Sequence, residues 1–391
     1  MKRIVFVLFA LTLGLPQPSA WAQRAEKIRL GFLTTLSGPI ATLGKEQEMG
    51  LDLALKQLGG KIGGIPVEVF KEDSRMQPDT AAQAATKLIE SNHIDFLTGT
   101  MLSNQLLAIV KPVTDSGAFI FSGIGGPSEL AGAGCNPNVF VLSWENNTPS
   151  EAAGKMMTDD GHKRGFFVAQ NYVTGKEHVA GAKTYFKGQV VGEAYPNRTT
   201  MDFAAEISQI GAANPDAVYV FMPGAQGIAF VKQYASAGLA DRIPLYSGSW
   251  LADEHSFSAL GDVALKTHLA ANWFVGLDNP QNKAFIAAFR KEYGRNPVFY
   301  AAFVYDSIML LDSAVREVNG NIQDKDKLRA ALRKADFKST RGDFRFNTNQ
   351  FPIQNFYSAK VVKAGAGYQH EVTGTVFRNH ADRFAAECKM K

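Results

Sequence analysis

Short apolar runs and amphipathic stretches alternate along almost the whole chain. Runs at 28–36, 67–70, 94–97 and 118–121 have the length and composition of buried strands. The stretches between them, 42–58, 78–89 and 103–113, read as helices. Leu43, Met49, Leu53 and Leu55 fall at helical spacing, and Asp79 and Thr80 suit the first turn of the second helix. A second set repeats the rhythm, with strands at 166–169, 190–194, 217–221 and 243–246 and helices at 176–186, 203–210 and 227–237. Strands separated by helices of this length mean βαβ units and parallel sheets covered on both faces. The pattern predicts an α/β protein of two doubly wound lobes. Helices at 282–293, 300–318 and 325–334 follow, and then alternation at 344–346 and 357–362 around Asn347-Thr348-Asn349 and Pro352, which predicts an antiparallel ribbon.

No low-complexity linker separates the two sets, so crossing strands must join the lobes, with 139–143 and 269–274 the best-placed segments. The expected division is 23–143 plus 273–342 for lobe 1, 144–272 plus 343–375 for lobe 2, and a polar C-terminal tail at 376–391.

The N-terminus changes the compartment. Lys2 and Arg3, the apolar stretch 4–15 and Ala20-Trp21-Ala22 form the three parts of a secretory signal, with cleavage after residue 22. The apolar part, followed by Pro16 and Pro18, is too short to span a bilayer, and Gln23 stands where a lipid-anchored protein needs Cys. A soluble periplasmic protein is expected. The formal charge is +4, and loss of Lys2 and Arg3 leaves +2, so nothing invites nucleic acid or an anionic membrane. In an oxidising compartment the two cysteines, Cys135 and Cys388, read as one disulfide pinning the tail to the loop that carries Cys135.

The motifs of enzymes are missing. There is no G-x-S-x-G elbow, phosphate-binding loop or C-x-x-C, and the seven histidines show no metal-ligand spacing. Neither metal nor cofactor is expected. The loops at the carboxyl ends of strands stand out, because open α/β sheets bind ligands there. In lobe 1 they are Ser37-Gly38-Pro39, the segment from Gly99 through Ser103 and Asn104, and Ser122-Gly123-Ile124-Gly125-Gly126. Helix N-termini and Ser hydroxyls at these places can hold a carboxylate without any Arg. In lobe 2 they are Asn171-Tyr172, Met222 through Gln226, and Ser247-Gly248-Ser249-Trp250. Trp144 and Asn146 sit at the first crossing and Trp273 at the second. Aromatic side chains in such loops suit a flat apolar ligand, or pack the hinge.

Residues 28–375 resemble the type I periplasmic solute-binding proteins of ABC transporters, Leu/Ile/Val-binding branch. The resemblance rests on GFLTTLSGPIATLGKEQEMGLDLAL, VFKEDSRMQPDTAAQAATKLI, GTMLSNQLLAIVKPVTDSG, NPDAVYVFMPG and GDFRFNTNQFPIQNFY, in that order. It implies two lobes joined by three crossovers, a ligand in the cleft, hinge closure, and delivery to a membrane permease and, through it, ATPase subunits. Amino-acid binders of the branch hold the ligand carboxylate with a Ser, matched by Ser103, and a turn that here reads Ile124-Gly125-Gly126. Their ammonium-binding Glu falls at Ser249, beside Trp250, with Asp253 the nearest acid. A buried ammonium without a carboxylate partner costs several kcal/mol.

The chain is also similar to a sub-branch associated with aromatic acids of lignin breakdown, through FNTNQFPIQNFY and Cys388-Lys389-Met390. The expected ligand is therefore an aromatic carboxylate of benzoate or cinnamate type. Its carboxylate is expected at Ser103 and the turn from Ser122 to Gly126, and its ring among Tyr172, Trp250 and Trp144. Asn146, Asn171 or Gln226 would meet a ring hydroxyl. A monomer is expected. Branched-chain amino acids, amides or urea remain as other ligands, and a ligand-sensing module of a signalling system as another role.

Overall fold

The computed structural model describes residues 24–390. The expected secretory signal lies outside the described residues. The first sheet is built from β1 (Ile28–Thr34), α1 (Ala41–Gln57), β2 (Lys61–Ile62), β3 (Ile65–Asp73), α2 (Pro78–Glu90), β4 (Phe96–Thr98), α3 (Ser103–Asp115), β5 (Phe119–Ser122), α4 (Ser128–Ala131) and β6 (Val139–Val141). Its strand order is β2-β3-β1-β4-β5-β6. All neighbours from β3 to β6 are parallel, with Leu30 opposite Val69 on one side and Phe96 on the other. β2 and β3 add an antiparallel hairpin at one edge.

The second sheet follows from α5 (Thr148–Asp159), β7 (Arg164–Ala169), α6 (Val173–Tyr185), β8 (Gln189–Ala194), α7 (Ala204–Ala213), β9 (Ala217–Phe221), α8 (Ala225–Ser236), β10 (Leu245–Gly248), α9 (Phe257–Leu260) and β11 (Thr267–Ala271). The chain then returns to the first sheet with α10 (Pro280–Tyr293), α11 (Phe299–Glu317) and α12 (Lys325–Lys334). It ends in β12 (Arg345–Phe346), β13 (Pro352–Ala364) and β14 (Gly367–His380), and β13 pairs antiparallel with both β11 and β14. Read from β8, the second sheet runs β8-β7-β9-β10-β11-β13. Both sheets thus reverse strand order beside their first strand, which opens a crevice at the carboxyl ends there.

The strand and helix expectations are met within a few residues, with one correction at the end. The stretch expected as a tail from 376 is, through His380, the second arm of a long hairpin. Its inward residues are mostly only partly buried and mix Tyr368, Val372, Val376 and Phe377 with polar neighbours, so no unbroken apolar stripe marks it. Beyond it the chain returns to the first sheet, where Asn349 Nδ2 donates to both carboxylate oxygens of Asp382, and Cys388 is bonded to Cys135.

The crossings are knotted together by buried polar groups. Asn272 Nδ2 donates to the carbonyl of Ser143 and to Gln354 Oε1, each at 2.9 Å. Gln354 Nε2 donates to the same carbonyl at 2.8 Å. Arg341 donates to the carbonyl of Leu142 and to Gln354 Oε1, and is ion-paired with Asp306 at 3.0 Å. The segments after β6, after β11 and before β13 are thereby held side by side.

Candidate functional site

A cavity of about 140 Å³ lies between the carboxyl ends of the two sheets. An apolar cavity of roughly 150 Å³ is large enough for benzene, so this one is sized for a single ring. Five helices begin at its wall. α1 begins after Ile40, α3 after Leu102, α6 after Tyr172, α8 after Gly224 and α11 after Val298, and none of the five has a side-chain cap. Their first-turn N–H groups and partial positive charges therefore favour an anion in the cleft.

The ring-binding part of the wall is aromatic. Trp144 lies 6.0 Å from Trp250, Trp250 lies 5.1 Å from Phe221, and Phe221 lies 6.4 Å from Tyr172, between ring centroids. Phe299 and Tyr300, from the start of α11, complete it. Trp250 is held upright because position 248 has no side chain: a Cβ on Gly248 would stand 2.2 Å from its ring.

Of the residues singled out in the sequence, Ser103, Ile124, Gly125, Trp144, Tyr172, Gln226 and Trp250 line the cavity. Ser103 Oγ accepts from Asn146 Nδ2 at 2.9 Å, and its own hydrogen is left to donate. The other amide hydrogen of Asn146 goes to Glu177, so Asn146 orients Ser103 from behind the wall.

Ser122 also sits behind the wall. It accepts from Thr100 Oγ1 and donates to the carbonyl of Gly125, bracing the turn. Gly126 is a close-packing position, since a Cβ there would fall 1.9 Å from the carbonyl oxygen of Trp144. Asn104, Met222 and Ser249 are outside the lining, the last two buried. Asn171 is exposed, and its N–H is bonded to the carbonyl of Pro196. Asp253 is outside as well, and its carboxylate accepts from the N–H groups of His255 and Ser256.

Gln226 reaches the wall with its polar atoms already committed. Its Oε1 accepts from Gln170 at 2.5 Å, and its Nε2 donates to the carbonyls of Asn197 and Thr200. It fixes the loop between β8 and α7 and has no hydrogen left for a ring hydroxyl.

Among the wall residues not singled out in the sequence are an arginine and a histidine. Arg198, from that loop, is stacked over Tyr172 at 5.0 Å and is the one charged residue among those lining the cavity, apart from any charge on His178. The sequence offers a polar turn after a strand as its only signal. The second is His178, one helical turn after Thr174 on the same face of α6. Its ring stacks on Phe221 at 3.9 Å, and its Nδ1 faces Ser150 Oγ at 2.6 Å.

Burial holds the pKa of His178 well below the usual histidine value, so the ring is neutral at pH 7. The unfolded chain takes up a proton near the ordinary value and the folded one does not. Stability from this group is therefore present above the unfolded pKa and is lost as pH falls below it, by at most about 1.4 kcal/mol per pH unit. Urea titrations between pH 7.5 and 5 should show a shallower acid loss in His178→Asn than in the unsubstituted protein. Equal slopes would mean that His178 protonates freely in the fold.

Residues 27–366 match a family model described as periplasmic binding protein. A Leu/Ile/Val-binding protein homolog of Brucella melitensis is 25% identical over 394 residues, covering 98% of each chain. Among solved structures, the chain is similar to an ABC transporter solute-binding protein of R. palustris in complex with benzoate. The identity is 32% and the TM-score 0.88, covering 93% of this chain and 100% of that one. It is also similar to a solute-binding protein of Rhodopseudomonas palustris BisB5 in complex with 3,4-dihydroxybenzoic acid. There the identity is 26% and the TM-score 0.86, over 92% of this chain and 99% of the other.

Proposed function

The chain belongs to the periplasmic binding protein family, and from that premise we propose that it is the solute-capturing component of an ABC importer, closing on a one-ring aromatic carboxylate. The observation that carries the ligand class is the composition of the wall. It holds stacked aromatic rings, five helix N-termini and an arginine, and no aspartate or glutamate. A carboxylate is welcome there, and an α-ammonium would be buried without a partner. The benzoate and dihydroxybenzoate in the two similar structures support the same class.

The carboxylate lies at the start of α3, where Ser103 donates, and the ring between Trp144, Trp250 and Tyr172. Ligand contacts to both lobes form only when the lobes close, so binding shifts the population toward the closed form. That form is delivered to a membrane permease, whose ATPase subunits supply the energy. The chain itself binds without chemistry, acts as a monomer in the periplasm after loss of its signal, and engages no nucleic acid.

A thermal-shift panel on ligand-stripped protein tests the reading. Benzoate, 4-hydroxybenzoate and cinnamate should raise the melting temperature, and leucine, isoleucine and urea should not. A ligand at 1,000 times its Kd stabilises by about 4 kcal/mol, well above detection. Stabilisation by leucine or isoleucine alone would return the protein to amino-acid binding, the function in the name of its Brucella relative.

A further inference from the structure

We propose that the cleft has a second anion subsite at its lobe 2 end, formed by Arg198, His178 and Trp250, and that the preferred ligand is an aromatic acid carrying a second carboxylate. This rests on the reading of the cleft as an aromatic-acid site and adds a second anion-binding point to it.

Three donors at that end have no acceptor. Arg198 makes no ion pair and no hydrogen bond among the described residues, and its NH1 is buried with no partner. Trp250, only 3% exposed, has a buried indole N–H without a partner. Indole and guanidinium can only donate. An unmet buried donor is costly, the more so when charged, so a wall with both is built for something that accepts.

The third donor follows from counting hydrogens. Tyr219 is fully buried, and its hydroxyl meets only Ser150 Oγ, at 2.5 Å. Ser150 Oγ meets only Tyr219 and His178 Nδ1. If His178 carried its proton on Nδ1, that proton would go to Ser150 and the serine proton to Tyr219, and the phenol hydrogen would be stranded in the core. The satisfied order is Tyr219 donating to Ser150 and Ser150 donating to His178 Nδ1. The imidazole proton then sits on Nε2, which has no partner among the described residues and belongs to a ring lining the cavity. A chain of hydroxyls buried in lobe 2 thus sets the histidine as a donor toward the ligand.

The loop carrying Arg198 is fixed by the committed amide of Gln226. Gln226 is therefore a positioning residue for this subsite. One cation and two neutral donors, with no acid among the lining residues, match a carboxylate, and the unpartnered Thr174 hydroxyl in the same wall can donate to it as well.

Titration calorimetry with benzoate and terephthalate, on the unsubstituted protein and on Arg198→Gln, tests the assignment. Terephthalate should bind at least tenfold more tightly than benzoate. Arg198→Gln should weaken terephthalate at least tenfold more than it weakens benzoate. Ser150→Ala should also weaken terephthalate selectively, and ¹⁵N spectra of the unsubstituted protein should show His178 protonated on Nε2. Equal weakening of both ligands by Arg198→Gln would place the single carboxylate of benzoate at Arg198 and overturn the second subsite, with the aromatic-acid reading intact. Binding of benzoate without terephthalate would overturn it too. Binding of leucine with neither acid would instead remove the reading on which it rests.

Discussion

Replacing Arg341 by Met is expected to cost about 3–5 kcal/mol of folding stability, seen as a large fall in the urea midpoint at unchanged slope. The guanidinium is buried with Asp306, their side chains being 1% and 0% exposed. It lies between the rings of Phe303 and Phe344, at 4.9 and 4.5 Å from their centroids. Removal leaves the Asp306 carboxylate with Ser339 Oγ and the N–H and Oγ1 of Thr340, but with no countercharge. Burial already raises the Asp306 pKa, with Arg341 the main opposing influence, so in the variant the carboxyl rises further toward the neutral form.

The cost should fall mainly on the loss of one partner and less on the loss of the pair. Two buried charges repay their desolvation only partly, and an apolar pair of similar volume is often neutral. Arg341→Met with Asp306→Leu should therefore recover much of the loss. If the double variant is as unstable as the single, the bonds from Arg341 to Leu142 and Gln354 matter more than the ion pair. That outcome would move the weight to the crossings, because Leu142 and Gln354 belong to two of the three segments that join the sheets.

The elements were legible because their periods were clean. α1 and α2 each bury one face against a sheet or a neighbour, α11 is buried nearly all round, and the inner strands are nearly continuous apolar runs. β14 was not legible, because one face is exposed, the other is mostly only partly buried, and its pairing with β13 shifts register between Gln354 and Ala359.

The site was legible to the same depth. Ser103, Trp250 and Tyr172 follow strand ends, and the rule for open sheets found them. It also gathered Ser122 and Asn146, which have the right chemistry and the wrong direction, since their polar atoms turn into the protein. Direction is a property of packing, which no spacing records. Arg198 and His178 were missed for a related reason. Arg198 follows a half-exposed edge strand and is brought to the cleft by Gln226 from the first turn of α8. His178 acquires its meaning only through Ser150 and Tyr219, at sequence separations of 28 and, from Ser150, 69. The expectation that a carboxylate would be held without any Arg therefore meets a cleft that has one.

Trp250→Ala should weaken binding of the best aromatic acid by a hundredfold or more, about 3 kcal/mol, the largest loss of any single wall residue. The indole is in ring contact with Trp144, Phe221 and His178, so its removal opens a hole in the middle of the aromatic wall. Its neighbours cannot close the gap. Phe221 is anchored in β9, and Trp144 is packed against Phe299 and Phe303 at 5.6 and 5.4 Å.

Gly248→Ala separates position from presence. The added methyl would meet the Trp250 ring at 2.2 Å, against neighbours that are fully packed. The indole must therefore turn, at a cost of typically 1–3 kcal/mol in stability. Both variants should lose affinity, Trp250→Ala by deleting the wall and Gly248→Ala by turning it. Trp250→Phe should lie between them and the unsubstituted protein, because it restores a ring without the indole N–H. Calorimetry on the three variants with benzoate reads the order directly. If Gly248→Ala binds as tightly as the unsubstituted protein, the orientation of Trp250 is not what shapes the cleft. If Trp250→Ala does, the ring of the ligand lies elsewhere in the cavity.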